Sequence, residues 1–259
     1  MGRLSPAERS DIMYVQRTYR GGANNADLHF FQVTLKETDL YIGVDKKSYR
    51  PELESQALNL VWEYRKQLEL YIQEDPEFRT TLEPHFLRPD APPLARVMNQ
   101  AAWQAGVGPM AAVAGAMAEA VGRGLCPQVR EILVENGGDI FLQIRRPRLV
   151  GIFAGLSPFS HRLAVEIDPQ WGPVGVCTSS GTVGPSYSAG RADAALVLAP
   201  SAALADAAAS AVGNVVQTLE DVERGVEVAR SIKGVSGVVV IKEDRLAVWG
   251  KIKLVPLKS

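Results

Sequence analysis

The stretch Leu196–Ala211 reads LVLAPSAALADAAASA, and it changes from a strand pattern to a helix pattern within a few residues. It begins inside the apolar run Ala192–Leu198, which is typical of a buried strand. Ser201 is a good N-cap for the alanine-rich helix that follows, because its hydroxyl can accept a hydrogen bond from a free backbone N–H. We expect this helix to run to Val212 and to be broken by Gly213–Asn214.

Two polar side chains, Asp206 and Ser210, interrupt the alanines of this helix. They are four residues apart, so a helix places them on the same face. A carboxylate and a hydroxyl suit a hard cation such as Mg²⁺. Alternatively, Asp206 faces solvent or interacts with the helix dipole near Ser201. Taken alone, the spacing favours this second interpretation.

Segments rich in β-branched and aromatic residues surround the stretch and predict a sheet. In the middle of the chain they predict an antiparallel meander over Arg130–Val134, Asp139–Ile144, Leu149–Phe153, Leu163–Ile167 and Val174–Cys177. A further strand is predicted over Tyr14–Arg20, with hairpins formed by Leu28–Val33 and Leu40–Val44 near the start and by Gly237–Ile241 and Leu246–Trp249 near the end.

Helical periodicity predicts further helices over 51–75, 94–105, 109–121 and 218–232. We expect Gly122 and Gly124 to end the third of these. Gly115 lies inside it, where glycine costs about 1 kcal/mol relative to alanine, so we expect another part of the molecule or a ligand to approach the backbone closely there. Strands and helices alternate without a regular βαβ pattern, which favours an α+β fold.

The proline-rich residues 79–93 connect the first predicted helix to the next one. We interpret them as a surface loop and not as a domain linker, because the first hairpin and helix are too small to bury a core alone. The sequence therefore predicts a single domain over residues 1–259.

Composition and charge narrow the classes of function. The 259 residues carry a net charge of -1, which argues against a nucleic-acid partner. The uncharged run Val97–Ala118 contains too many polar and helix-breaking residues for a membrane span, and residues 1–25 lack the apolar segment of a secretory signal.

Cys126 and Cys177 fit two free thiols in a reducing compartment, so we expect a cytoplasmic protein. The basic cluster Arg145–Arg148 is interpreted as a solvated hairpin end, with steering of an anionic ligand as the alternative. Homo-oligomer formation stays open.

Two other segments carry groups that can bind a ligand. Asn136, Gly137, Gly138 and Asp139 form a tight-turn signal between two strands, and their backbone N–H groups can hold a phosphate. Thr178, Ser179, Ser180 and Gly181 follow an apolar strand and can bind an anion. Taken alone, the first segment is better interpreted as an ordinary hairpin turn and the second as an ordinary polar loop after a strand. The sequence contains only three histidines, which are scattered, and we find no HExxH, GxSxG or GxGxxG motif.

In order along the chain, these segments resemble the ApbE superfamily, whose members include Mg²⁺-dependent transferases that use FAD to place FMN on a Thr or Ser of another protein. Leu196–Ala211 is similar to the family's final strand and helix, V-x-A-P-S-A-x-x-A-D-A-x-[AS]-T-A. Asn136–Asp139 is similar to its N-x-G-G-D turn and Thr178–Gly181 to its T-S-G segment. Ala112–Ala118 resembles more loosely the helix G-x-I-A-K-G-x-A. The resemblance covers about residues 105–215.

The resemblance implies an ApbE-like, T-fold-related fold with a mainly antiparallel sheet and packed helices. It also implies Mg²⁺ ligands at the Ala114 carbonyl, Asp206 and Ser210, and FAD or a related nucleotide bound by Asn136–Asp139 and Thr178–Gly181. The chain departs from the family in having Gly115 in place of a lysine. It also lacks the long insert that ends in D-P-x-T-G, a shortening typical of a short, uncharacterised branch of the superfamily.

Three functions remain open at this level. The first is a protein that binds a flavin nucleotide or another small anionic metabolite, and the second is an FMN transferase. The missing insert favours the first of these. The third is an accessory role in sulfide or homocysteine metabolism of anaerobes, which the resemblance suggests and in which Cys126 and Cys177 would act.

Overall fold

A computed structural model describes residues 26–182 and 189–257, and the predicted strand Tyr14–Arg20 lies outside these ranges. The largest element is an eight-stranded sheet in which every neighbouring pair is antiparallel. Its order is β1-β2-β3-β4-β7-β8-β9-β10. The strands are β1 (Leu28–Leu35), β2 (Thr38–Asp45), β3 (Ile132–Asn136), β4 (Asp139–Gln143), β7 (Val174–Ser179), β8 (Ala194–Ala199), β9 (Gly237–Lys242) and β10 (Arg245–Gly250).

The predicted single meander is wrong, because two of its strands leave the large sheet. The strands β5 (Arg148–Gly151) and β6 (Leu163–Ile167) form a second, three-stranded sheet with β11 (Leu254–Pro256), in the order β11-β6-β5. Val150 and Val165 pack with Leu196 of the large sheet in a common apolar cluster. The small sheet therefore covers one face of the large sheet, and this burial outweighs extension of the meander.

Helices cover the other face of the large sheet. The predicted first helix is confirmed, and it ends before Asp75 as expected. Short 3₁₀ turns precede α4 and α6, over Pro109–Ala112 and Leu219–Asp221, and Thr218 and Asp221 form the predicted capping box. The helices are α1 (Glu52–Glu74), α2 (Glu77–Thr80), α3 (Pro93–Ala105), α4 (Val113–Leu125), α5 (Ala202–Val215) and α6 (Val222–Ser231).

Within the two described ranges, no single helix combines the length and apolar composition that a span requires. Among the helices of the described residues, one pair, Pro93–Ala105 and Pro109–Gln128, meets these criteria when the two helices are taken together, and the pair is bent by 104° at its junction.

Two predicted helix ends are wrong. The glycines expected to end these helices lie inside them, at places where the helix packs closely against the sheet. Gly122 lies inside α4, where a Cβ would overlap the ring of Phe141, and α4 continues to Leu125. Gly213 lies inside α5, where a Cβ would come within 3.2 Å of Ser179 Oγ. Absence of a side chain thus permits close contact between helix and sheet, and the tertiary contacts offset the poor helix propensity of glycine.

The interpretation of Arg145–Arg148 as a solvated hairpin end is wrong for Arg148, which is fully buried. Its guanidinium donates hydrogen bonds of 2.7–2.8 Å to both carboxylate oxygens of Asp27 and one of 2.7 Å to Glu131. A buried arginine needs such partners, because an unpaired charge is costly to remove from water.

Candidate functional site

A cavity of about 920 Å³ lies where α4, α5, β5 and three ends of the large sheet converge. These ends are the β1–β2 turn, the β3–β4 turn and the C-terminal end of β7. The lining contains all but one of the residues singled out from the sequence, namely Ala114, Asn136, Gly137, Gly138, Asp139, Thr178, Ser179, Ser180, Asp206 and Ser210. Residues far apart in the chain therefore share one cavity.

The exception is Gly181, which does not line the cavity. It is exposed, and its N–H donates a hydrogen bond of 2.9 Å to the Ala192 carbonyl. The predicted loop is also shorter than expected. Thr178 and Ser179 still pair with β8, so the strand continues two residues beyond Cys177.

The β3–β4 turn is a tight hairpin. Asn136 and Asp139 face each other across it, and Gly137 and Gly138 adopt positive φ values of 71° and 113°. Such values favour glycine, which explains the Gly-Gly pair. Asn136 Nδ2 donates a hydrogen bond of 3.2 Å to the Ala114 carbonyl, which fixes the turn against α4.

Asp206 lies half-buried at the wall of the cavity, which overturns its interpretation as a solvent-facing residue. Its Oδ2 accepts a hydrogen bond of 2.8 Å from the Gly115 N–H. Burial raises the pKa of Asp206 well above its ordinary value of 3.8, and the negative charge of Asp139 raises the pKa further. The two carboxyl groups, from different elements, are therefore close enough for the charge of Asp139 to disfavour the ionised form of Asp206.

The expected close approach to the Gly115 backbone is confirmed, and the approaching group is the backbone of α5. A Cβ at this position would overlap the Ala202 carbonyl oxygen and lie 2.8 Å from Asp206 Cβ. Helices α4 and α5 cross here at backbone distance. This contact is what brings the start of α4, with Ala114, next to Asp206.

The residues at this end of the cavity fit a hard cation by the chemistry of their donors. Asp206 and Asp139 supply carboxylate oxygens, Ala114 a carbonyl and Ser210 a hydroxyl, all of them in the cavity lining. Carboxylates, carbonyls and water are the ligands that Mg²⁺ prefers. Among the residues that the structure describes, no three His, Cys, Asp or Glu side chains cluster as a metal site. A cation here would therefore depend on carbonyl, hydroxyl and water or ligand oxygens as well as on carboxylates.

Sequence reasoning missed Glu119, the residue that anchors α5. It is buried in α4, and its Oε2 accepts hydrogen bonds of 2.9 Å from Ser201 Oγ and 2.7 Å from the Ala202 N–H. Glu119 thus caps the first turn of another helix, where a carboxylate also interacts favourably with the helix dipole. Local sequence gives no signal for such a long-range cap.

A group of cationic residues in the lining was also missed. Lys36, Arg65 and Arg79 all line the cavity. Arg65 donates to Glu37, Glu69 and Thr38, and Lys36 donates to Glu69, so the β1–β2 turn is tied to α1. These residues lie in the part of the chain that was matched to the family only in outline.

The two thiols give no support to thiol chemistry. Cys177 is fully buried, and its Sγ donates to the Ala202 carbonyl at 3.3 Å. Burial raises the pKa of Cys177 well above its ordinary value, and burial also raises the pKa of the half-buried Cys126. A thiol with a raised pKa is a poor nucleophile near neutral pH.

The fold and the convergent loops define an ApbE-like protein. The chain is similar in fold to the apo crystal structure of the flavinyl transferase ApbE of Pseudomonas stutzeri, with a TM-score of 0.51 and 15% sequence identity over 86% of this chain and 94% of that chain. This similarity confirms the α+β, ApbE-like architecture predicted from the sequence motifs.

Sequence comparison gives the family. The profile of a family described as "AbpE bacteria" matches residues 22–240, and the chain belongs to this family. It is 42% identical to a UPF0280 protein of Methanocella arvoryzae over 84% of this chain and 87% of that protein. It is 40% identical to a UPF0280 protein of Methanopyrus kandleri over 90% of this chain and 95% of that protein.

Proposed function

We propose that the cavity binds FAD or a related anionic nucleotide together with Mg²⁺, as a binding protein and not as a transferase. One observation carries the proposal: Asp206, held by the Gly115 N–H, faces the same cavity as Asp139, the Ala114 carbonyl and Ser210. The donor set is that of a Mg²⁺ site completed by ligand phosphates or water.

The charges of the cavity explain why a cation would be needed. Asp139 disfavours ionisation of Asp206, so both carboxylates are stable together only when a positive charge lies near them. The same two carboxylates would repel a phosphate. A divalent cation removes both penalties at once, because it binds the carboxylates and the phosphate oxygens.

The rest of the lining suits the other parts of a nucleotide. Apolar side chains including Met110, Met117 and Ile140 provide walls for a planar ring, while Arg79 supplies positive charge. Ligand cavities typically have volumes of roughly 300–1,000 Å³ and combine apolar walls with few polar groups. The cavity volume of about 920 Å³ accommodates a ligand of nucleotide size.

The experiment is a calorimetric titration of FAD into the metal-free protein, with and without Mg²⁺. We expect binding that strengthens by about tenfold or more with Mg²⁺ and loses this dependence in Asp206→Asn. The matched control is Asp244→Asn, which removes an exposed carboxylate from the β9–β10 turn, outside the cavity. The proposal is wrong if wild type binds no FAD, or if Asp206→Asn and Asp244→Asn bind it with equal Mg²⁺ dependence.

The same samples separate binding from transfer. An FMN transferase splits FAD and releases AMP when FMN is joined to its acceptor. The absence of the family's insert supports binding without this step, so we expect FAD to be recovered intact after incubation with Mg²⁺. Release of AMP by wild type but not by Asp206→Asn would favour the transferase instead.

We place the function in the cytoplasm, because the two free thiols fit a reducing compartment.

A further inference from the structure

We infer that Arg79 recognises a second anionic group of the ligand, a phosphate monoester or a carboxylate, at a point of the cavity separate from the proposed Mg²⁺ site. Arg79 belongs to α2 and lines the cavity. The inference rests on the proposed function and narrows it. It selects nucleotides that carry an anionic group in addition to the phosphates held through Mg²⁺.

The charge of Arg79 is the one that the cavity lining leaves unbalanced on this side. Among the described residues, the cationic side chains of the lining are Lys36, Arg65 and Arg79. Lys36 Nζ lies 2.6 Å from Glu69 Oε2. Arg65 pairs with Glu37 at 2.6 Å and with Glu69 at 2.8 Å, so two cations face two carboxylates. The guanidinium of Arg79 has no ion pair or hydrogen bond within the described part of the chain, and its charge is available to a ligand.

The remaining acidic side chain near this wall, Glu135, does not neutralise Arg79. Val134 belongs to the apolar cluster under the helices, and successive side chains of a strand point to opposite faces. Glu135 therefore lines the cavity from the face of the large sheet that carries the small sheet. Arg79 lies on the other face, with the helices.

α2 holds Arg79 at a fixed place on the cavity wall. Phe78 is fully buried, and its ring packs edge-on against the ring of Tyr71 with a centroid distance of 5.2 Å. Directly after α2, the Thr81 carbonyl oxygen lies so close to Gly108 that a Cβ there would overlap it. The helix is thus fixed by contacts on both sides of Arg79, whose own side chain stays exposed.

The wall between Arg79 and the acidic end of the cavity is apolar. α2 packs against the 3₁₀ turn Pro109–Ala112, from which Met110 lines the cavity. Val113 lines it directly after this turn, and two residues further on a backbone N–H holds Asp206. The lining therefore runs from a positive charge over apolar side chains to the carboxylates. A ligand that matches this order has a metal-bound phosphate, an apolar body and a second anionic group.

Arginine suits this role because its planar guanidinium donates two parallel hydrogen bonds to a phosphate or a carboxylate. FAD has no anionic group besides its pyrophosphate. It would use the Mg²⁺ site and leave Arg79 unpaired. Ligands that differ only in a further anionic group therefore test Arg79 directly.

The experiment compares NAD⁺ with two dinucleotides that share its pyrophosphate. NADP⁺ adds a phosphate monoester, and nicotinic acid adenine dinucleotide has a carboxylate in place of the carboxamide. Calorimetric titration with Mg²⁺ present should show that one of the two binds wild type about tenfold more tightly than NAD⁺, and which one does so identifies the anionic group. Arg79→Gln should lose this gain. The matched control Arg224→Gln, which removes an exposed arginine of α6 outside the cavity, should keep it.

Two further measurements separate recognition from folding. Arg79→Gln should unfold at the temperature of the wild type, because the guanidinium bonds to no described residue. Arg79→Lys keeps the charge but not the paired donors, so it should retain only part of the gain. The inference is wrong if neither ligand binds more tightly than NAD⁺, or if Arg79→Gln keeps the gain. It is also wrong if Arg79→Gln weakens all three ligands equally, since Arg79 would then contact the pyrophosphate.

FAD titration keeps this test distinct from that of the proposed function. Arg79→Gln should bind FAD with the Mg²⁺ dependence of the wild type, because FAD lacks the second anionic group. A wild type that fails to bind FAD but shows the gain over NAD⁺ would overturn the proposed flavin ligand and leave the role of Arg79 standing. Mg²⁺-dependent FAD binding without any gain over NAD⁺ would overturn the role of Arg79 alone.

Discussion

Gly115 is the residue at which α4 and α5 touch, and its lack of a side chain has a direct consequence for the site. Any Cβ there overlaps the Ala202 carbonyl oxygen, so the two helices can approach only if this position is glycine. The Gly115 N–H is also the donor that holds Asp206. The helix-propensity cost of one glycine is thus offset by a contact that builds the cavity.

We therefore predict that Gly115→Ala destabilises the protein by about 2 kcal/mol or more, even though alanine favours the helix by about 1 kcal/mol. Mg²⁺-dependent FAD binding should weaken as well, because Asp206 is displaced. Gly124→Ala is the matched control, since a Cβ there meets only the flexible end of Leu60. Thermal unfolding and calorimetry measure both effects. Equal stability of the two variants would contradict the role given to Gly115.

Asp27 gives a prediction on pH. The hydrogen bond from Arg148 lowers the pKa of Asp27 from 3.8 to about 2. A carboxyl group whose pKa is lower in the folded state stabilises the protein above its unfolded pKa, and this contribution is lost as the pH falls from about 3.8 through 2.

We expect Asp27→Asn to lower the free energy of unfolding by about 1–2 kcal/mol near neutral pH. The difference from wild type should shrink as the pH falls from about 3.8 and should disappear only below about pH 2, where Asp27 is protonated in both the folded and the unfolded state. Urea unfolding at several pH values measures it, with the exposed Asp244→Asn as control. A difference independent of pH would show that the ion pair with Arg148 does not cause it.

At the scale of elements, α5 is positioned from outside its own sequence. Ser201 caps its first turn, with its hydroxyl accepting from the Leu204 N–H. Glu119 of α4 then accepts from Ser201 and from the Ala202 N–H. The start of α5, and with it the position of Asp206 one turn later, is therefore fixed by α4.

Glu119→Ala should destabilise the protein by about 2–3 kcal/mol, because it leaves the buried Ala202 N–H without its acceptor. Glu119→Gln keeps an acceptor oxygen and should cost less. Arg123→Ala removes the exposed partner of Glu119 and a cation–π contact with Phe141, and it should cost about 1 kcal/mol or less. Chemical unfolding of the three variants tests this order, which fails if Arg123→Ala costs as much as Glu119→Ala.

At the scale of the whole molecule, both faces of the large sheet are buried. β8 illustrates this: Ala195 and Val197 belong to the cluster under the helices, and Ala194 and Leu196 to the cluster under the small sheet. The first hairpin joins the sheet through β2 and β3, and α1 packs against α4. Early and late parts of the chain thus contribute to the same cluster.

We predict on this basis that the chain is a single domain. Limited proteolysis should cut first within residues 75–93, the connection that carries the exposed Leu82 and Phe86. The nicked fragments should stay associated, because neither buries its apolar surface alone. Mass spectrometry and size-exclusion chromatography follow the products. An independently folded fragment of residues 1–90 would contradict a single domain.

The sequence alone determined the local elements and their chemistry. Most helices and strands were predicted, because hydrophobic periodicity and capping residues such as Ser201 are local signals. The motif residues were predicted as well, and Asn136–Asp139 and Asp206 line one cavity as the family resemblance implied. A close approach to the Gly115 backbone was correctly predicted, since a mid-helix glycine is costly without a compensating contact.

Only the tertiary structure decided how these elements combine. It placed β5 and β6 in a second sheet and left Gly122 and Gly213 inside helices, because burial against distant residues outweighs local propensity. It buried Arg148 between Asp27 and Glu131, and it brought Glu119 to the start of α5. Each of these contacts joins residues remote in the chain. Their energies depend on distance and burial, which a linear pattern of residue types does not contain.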